Sequence, residues 1–402
     1  MRIALAVASV LVCFSTHALA AKAKDKPKAK TGPPIAVTSR MDGSVSIFDR
    51  ASLKLLRSVP EVGGAPAAPS VWPMLSVADA ARQCVYVVNF GGSLARISYA
   101  KTAEPPALLD LGAPLAGLAL SPDGKTLAVN GVKDLVVRFV DVETWKETAR
   151  ASLGAATDEP KHKPLTFGVA SPHPVWLADG SGIVTQDNIH EEVVLVAKDG
   201  TVKARRAFRT AVHTVLTAPD GSLLALVEGD GATAPQVVVL KPETLEVVRE
   251  IDVPLADGET PKLHHGSLSP DGELLVVANM GPVAAASGVS AAVIKWKTGD
   301  VAWTAPTVRT AAHAVFLAKD KVLVLGHRSP EMKVLDAATG TVLATWEILG
   351  TASLGHALEV QPDGAVLALD ATLGRVLRYK NGELTGESER VGDGYAESSL
   401  GE

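Results

Sequence analysis

A unit recurs along this chain, and it restricts the possible folds more than any other feature. Its fullest copy runs Arg209-Thr-Ala-Val-His213-Thr-Val-Leu-Thr-Ala-Pro-Asp-Gly221, followed by the apolar run Leu223-Leu-Ala-Leu-Val227 and Glu228. The same pattern returns as His264-His265-Gly-Ser-Leu-Ser-Pro-Asp-Gly272, as Arg309-Thr-Ala-Ala-His313 leading to Asp320, and as His356 leading to Gln361-Pro-Asp-Gly364. An earlier copy, Leu118-Ala-Leu-Ser-Pro-Asp-Gly124, lacks the His. Each copy places two short β-prone runs around a turn, and in every copy but the one ending at Asp320 a Gly there supplies the positive φ that other residues resist.

Units of this form begin near Leu115, His173, His213, His264, His313 and His356, about 40 to about 57 residues apart. Two more precede them, in Ile35–Val59 and from about Val71, and the second holds four strand-like runs joined by tight turns. A four-stranded unit repeated at this period is the signature of a β-propeller, in which each blade buries its faces only by stacking on its neighbours. The expectation is an all-β propeller of four-stranded blades, eight in number with seven as the alternative, and the first unit lacks an inner strand. With aromatics at only 4% against 47% hydrophobic residues, the core must be built from Val, Leu and Ala. Insertions interrupt the rhythm at Thr157–Thr166 and Gly281–Ser290, and the polar, Gly-rich tail over residues 386–402 is expected to be flexible.

The N-terminus reads as an address. Arg2, the apolar stretch Ile3–Phe14 and the small-x-small Ala18-Leu-Ala20 form a secretory signal over residues 1–20, cut after Ala20. Bulky Val12 before Cys13 argues against lipidation, so Cys84 is left as the one Cys of the mature chain and no internal disulfide can form. Residues 21–34 carry Lys22, Lys24, Lys26, Lys28 and Lys30 against Asp25 and read as a disordered basic leader before a propeller over 35–385. Taking this leader and Arg2 from the formal net charge of -5 leaves about -10 on the folded part, which argues against a nucleic-acid partner. No later stretch is long and apolar enough for a transmembrane helix. The expected product is a periplasmic or secreted monomer.

Tyr86-Val-Val-Asn89 followed by Gly92-Ser-Leu-Ala-Arg-Ile97 resembles the strand-turn-strand core of the YVTN family of propeller repeats. Lys333-Val-Leu-Asp-Ala-Ala-Thr-Gly-Thr-Val-Leu-Ala-Thr345 is similar to that family's outer strands, and Ser-Pro-Asp-Gly to its inner turn. The resemblance covers nearly all of Ile35–Lys380 and implies an exported propeller. Relatives of this broad kind include lactonases, haem d1 domains and the copper propeller of nitrous oxide reductase. Repeats ending in Trp-Asp are absent, so the eukaryotic WD40-like scaffold is the poorer fit.

The strands of a blade alternate in direction, so a His seven residues before the turn Asp sits at the far end of the inner strand, beside the central channel. That places His173, His213, His264, His313 and His356, with His265 one position on, around one mouth as metal ligands. Several convergent imidazoles with few carboxylates suit copper, zinc or iron, and a non-covalent haem-type cofactor is the further option. Because neighbours on a regular strand point oppositely, only one of His264 and His265 is expected to face the channel. His190, His327 and Asp187 follow second strands and fall on the same face, as does His162 in the first insertion. Arg209 and Arg309 share that face and could clamp an anion, or pair with an acid of the next blade.

No Gly-rich phosphate loop, Gly-x-Ser-x-Gly elbow, Cys-x-x-Cys-His or His-Glu-x-x-His sequence is present. Three functions remain: a binding or accessory propeller holding a metal ion or small ligand, a propeller enzyme of the lactonase or metal- or cofactor-dependent oxidoreductase kind, and a scaffold that meets a protein partner at the channel face.

Overall fold

A computed structural model describes residues 33–39, 42–62, 72–155, 173–230, 232–282, 287–348, 355–391 and 396–398. These residues form eight four-stranded antiparallel sheets arranged as the blades of a propeller. Blades 2 to 8 are each built from four consecutive strands: β4–β7 (Pro73–Asp110), β8–β11 (Leu115–Ser152), β12–β15 (Val175–Ala207), β16–β19 (Val212–Asp252), β20–β23 (Leu263–Pro306), β24–β27 (Ala311–Glu347) and β28–β31 (Gly355–Glu387). Blade 1 contains β1 (Ile35–Ser39), β2 (Val45–Phe48) and β3 (Leu55–Val59), and takes its fourth strand from the other end of the chain. That strand, β32 (Ala396–Ser398), runs antiparallel to β1, with Val37 opposite Ser398 and Ser39 opposite Ala396. The missing inner strand expected from sequence is thus supplied by residues 396–398. Within the tail over residues 386–402, these three residues find a ladder to join at the unpaired edge of β1.

Stacking holds the ring together, and strand period shows how. Along β5, Cys84, Tyr86 and Val88 pack toward blade 3, while the alternate Val85 and Val87 pack toward blade 1. β17 (Leu223–Val227) divides likewise, Leu224 and Leu226 toward blade 6 and Leu223, Ala225 and Val227 toward blade 4. A strand buried on both faces needs a continuous apolar run, which is why these second strands do not alternate. Every junction between successive blades, including that of blade 8 with blade 1, has an apolar cluster of this type. Outer strands instead read as half-exposed, as in β15 (Val202–Ala207).

The Pro-Asp-Gly motif is the turn from inner to second strand. In blade 3, Ser121 Oγ donates to Asp123 at 2.6 Å, the Lys125 amide donates to the same carboxylate at 3.0 Å, and Gly124 has φ +67°. Blade 6 repeats the device with Ser269, Asp271 and Gly272 at φ +71°. The turn fixes which way each inner strand points, and so fixes where its other end arrives.

Candidate metal centre

At that other end the strands are not regular. Between Val212, opposite Val227, and Thr214, opposite Leu226, β16 carries one residue more than its partner, and that residue is His213. β28 does the same between Gly355 and Ala357, where His356 sits, and β24 between Ala311 and His313. In β20 the three steps from Leu263 to Gly266 span two on β21, and His264 and His265 occupy the bulge. A bulge sets two residues against one and re-aims their side chains. Both His264 and His265 therefore turn toward the same cluster, correcting the expectation that strand alternation would send one of them away.

Six imidazoles meet here. His213 and His264 have ring centroids 4.0 Å apart, and His264 and His265 4.4 Å. His265 stacks on His313 at 4.5 Å with a 13° interplanar angle and lies 5.1 Å from His213. His173, entering blade 4, lies 5.8 Å from His265 and 6.3 Å from His213. His327, from the turn after β25 (Lys321–Gly326), lies 5.7 Å from His264 and 6.4 Å from His313. Sequence reading grouped His327 with general ligand contacts, but the fold brings it into the imidazole cluster itself. The side chain of His356, all of His162, and residues 1–32 lie outside the described residues.

One nitrogen each from His213, His264 and His265 lies within 4.8 Å of the other two. The surroundings orient these rings. His264 Nδ1 faces the Ala312 carbonyl at 3.0 Å, so Nδ1 carries the proton and Nε2 keeps a lone pair. His213 Nδ1 lies 3.1 Å from Glu228 Oε1, the carboxylate–imidazole arrangement that fixes a metal-binding tautomer. His265 Nδ1 lies 3.4 Å from Thr214 Oγ1. Gln186 links the neighbouring blade, accepting from the His173 amide at 2.8 Å and donating to the His213 carbonyl at 3.4 Å.

Burial pushes His213 and His264 well below the usual imidazole range, and the neighbouring His rings push in the same direction. Burial also raises the Glu228 carboxyl, against the opposing charge of Lys262. Two imidazoles held neutral in a crowded pocket are ready to coordinate, since a metal takes the unprotonated ring. Sequence reading puts Glu228 at the end of a second strand on this face, where it could complete a polar site or be a loop residue, and the structure sets it against His213. Lys262 and the Ala312 carbonyl escaped sequence reasoning as partners of the site, and a carbonyl leaves no sequence signal.

The other candidate residues are elsewhere. His190 Nδ1 lies 2.7 Å from Asp187 Oδ2, and the buried Asp187 also accepts from the amides of Ile189 and His190. This pair organises the turn after β13 (Gly182–Asp187). Arg209 and Arg309 are exposed and form no ion pair with another described residue.

Neither a protein-family model nor a curated protein sequence matches the chain. Solved structures do share its fold. Dihydro-heme d1 dehydrogenase NirN in complex with DHE is similar with a TM-score of 0.67 and 15% identity, over 94% of this chain and 77% of that one. BamB from Moraxella catarrhalis gives 0.56 and 12%, over 80% and 92%. The C-terminal WD40 domain of Sif2 gives 0.61 and 10%, over 84% and 89%. These likenesses establish a β-propeller, while the YVTN assignment keeps only its residue-level basis. Among the described residues no helix is long and apolar enough to cross a membrane.

Proposed function

We propose that this chain is an exported β-propeller that binds one transition-metal ion, copper or zinc, at its channel mouth. His213, His264 and His265 ligate the ion, and His173, His313 and His327 surround them. The observation that carries this reading is the set of three ring nitrogens within 4.8 Å of one another, two of whose rings are oriented from behind by Glu228 and the Ala312 carbonyl. Three neutral imidazoles without thiolate or carboxylate suit zinc and copper, and leave a fourth position open. Iron is less well served, since open non-haem iron sites typically add a carboxylate. Export rests on Arg2, the apolar Ile3–Phe14 and the cleavage form at Ala18-Leu-Ala20.

A tetrapyrrole held in the channel is the second reading, favoured by the fold shared with the haem d1 dehydrogenase structure. Titration of the purified full-length chain with zinc and with cuprous ion separates the two. One tightly held ion per chain, with no porphyrin-like absorbance in protein from the producing cells, is the expected outcome. Weak and non-saturating binding of both ions would overturn the metal reading.

A further inference from the structure

Imidazole ligands bring no negative charge. A divalent ion on His213, His264 and His265 would add two positive charges to a largely buried pocket. Lys262 adds another: it is half-buried, immediately precedes Leu263-His264, and its charge acts on both His213 and Glu228. Its backbone is pinned, the amide donating to Asn279 Oδ1 at 2.7 Å and the carbonyl accepting from the Met280 amide at 3.0 Å. Among the described residues its ammonium has no ion-pair partner. Among the described residues, the carboxylate bonded to a ring of the cluster is Glu228, and it is engaged by His213 Nδ1. The loaded site would thus hold more positive than negative charge, where surplus charge is costly unless it is compensated.

We propose that the exchangeable ligand of this site is a small anion, bound to the metal at its open position and paired with the Lys262 ammonium. The proposal rests on the metal reading above. Exposed Arg209 and Arg309 precede the inner strands of blades 5 and 7, four residues before His213 and His313, and add positive charge to the strand starts that carry those rings.

The test uses the full-length chain loaded with cupric ion and titrated with azide, followed by the azide-to-copper charge-transfer band. The parent is expected to bind one azide per copper. Lys262→Met is expected to weaken azide by about tenfold or more, the loss typical of a charge-assisted contact, while copper stoichiometry is unchanged. Lys262→Arg should recover most of that loss, and Lys262→Gln provides the same comparison if the Met variant does not fold. Copper bound normally, with azide affinity equal in parent and Lys262→Met or with no azide bound, would overturn the anion proposal and leave the metal reading standing. Failure of the parent to bind copper or zinc would overturn both.

Discussion

The two ends of the inner strands follow different rules. At the turn end, blades 3, 5, 6 and 8 repeat Pro-Asp-Gly almost letter for letter. At the mouth end, the same one-residue bulge recurs while its occupants change: Met74-Leu75 in blade 2, Ala116 in blade 3, His213 in blade 5, His264-His265 in blade 6 and Ala312 in blade 7. Backbone geometry dictates the first end, because few residues accept a positive φ. The second end fixes only the direction of a side chain and leaves its chemistry open. In blades 2 and 3 the bulge residues are buried in the apolar cluster between those blades, and in blades 5 and 6 they become imidazoles. Repetition at one end therefore marks folding, and variation at the other marks function.

This contrast can be broken by mutation. The largest effect belongs to the mouth: His213→Ala with His264→Ala should weaken zinc or copper by at least about 100-fold, since two of three ligands are lost. Its thermal unfolding should stay within about 2 kcal/mol of the parent, because no part of the ladder depends on those rings. A collapse of the fold without any prior metal affinity would instead assign the His a purely architectural role.

The turn should give the opposite pattern. A Cβ on Gly272 would lie 2.4 Å from the Pro219 ring of the neighbouring blade at φ +71°. Gly272→Ala should therefore cost about 3 kcal/mol, strain and overpacking together, and leave metal affinity untouched. Denaturant titration with parallel metal binding checks both halves.

Acid probes the mouth from another side. His213 and His264 have folded-state pKa values below the unfolded value, so below about pH 6.5 the unfolded chain binds more protons. Apo-protein stability should be full above that pH and fall as pH drops, by up to about 1.4 kcal/mol per unit for each ring. Proton competition with metal at these two ligands should begin lower than for an exposed His. A double Ala variant with an unchanged acid slope would show that the two rings are not the source. The smallest effect is at Gly221, where φ is +88° but an added Cβ meets nothing within 4 Å. Gly221→Ala should cost only about 1 kcal/mol, the backbone share of the Gly272 penalty.

Much of this was legible in the chain. Turn chemistry and apolar second strands specified a propeller and its eight blades, and the offset from turn to His put the imidazoles on one mouth. What stayed hidden depends on register. Nothing in Leu263-His264-His265-Gly266 announces the extra residue that sends both rings inward, because a bulge is a relation between two strands. The placement of His327 beside His264 depends on how blades 6 and 7 stack. The pairing of His190 with Asp187 is a local turn bond that a face-level argument cannot distinguish from a ligand contact. Residues 396–398 carry no strand signal of their own, and become a strand because β1 lacks a neighbour.

That last pairing bears on the order of folding. Val37 and Ser398 are 361 positions apart, whereas within each of blades 2 to 8 every strand is joined to the next by a short connection. Local hairpins form before contacts that must first close a long loop. The arc from blade 2 to blade 8 can assemble by neighbour-to-neighbour accretion while β1 still presents a bare edge. During that interval the edge is open to the equivalent strand of a second molecule. The seam of blade 1 is thus where refolding at high concentration should give strand-exchanged dimers, and dilute refolding the closed ring.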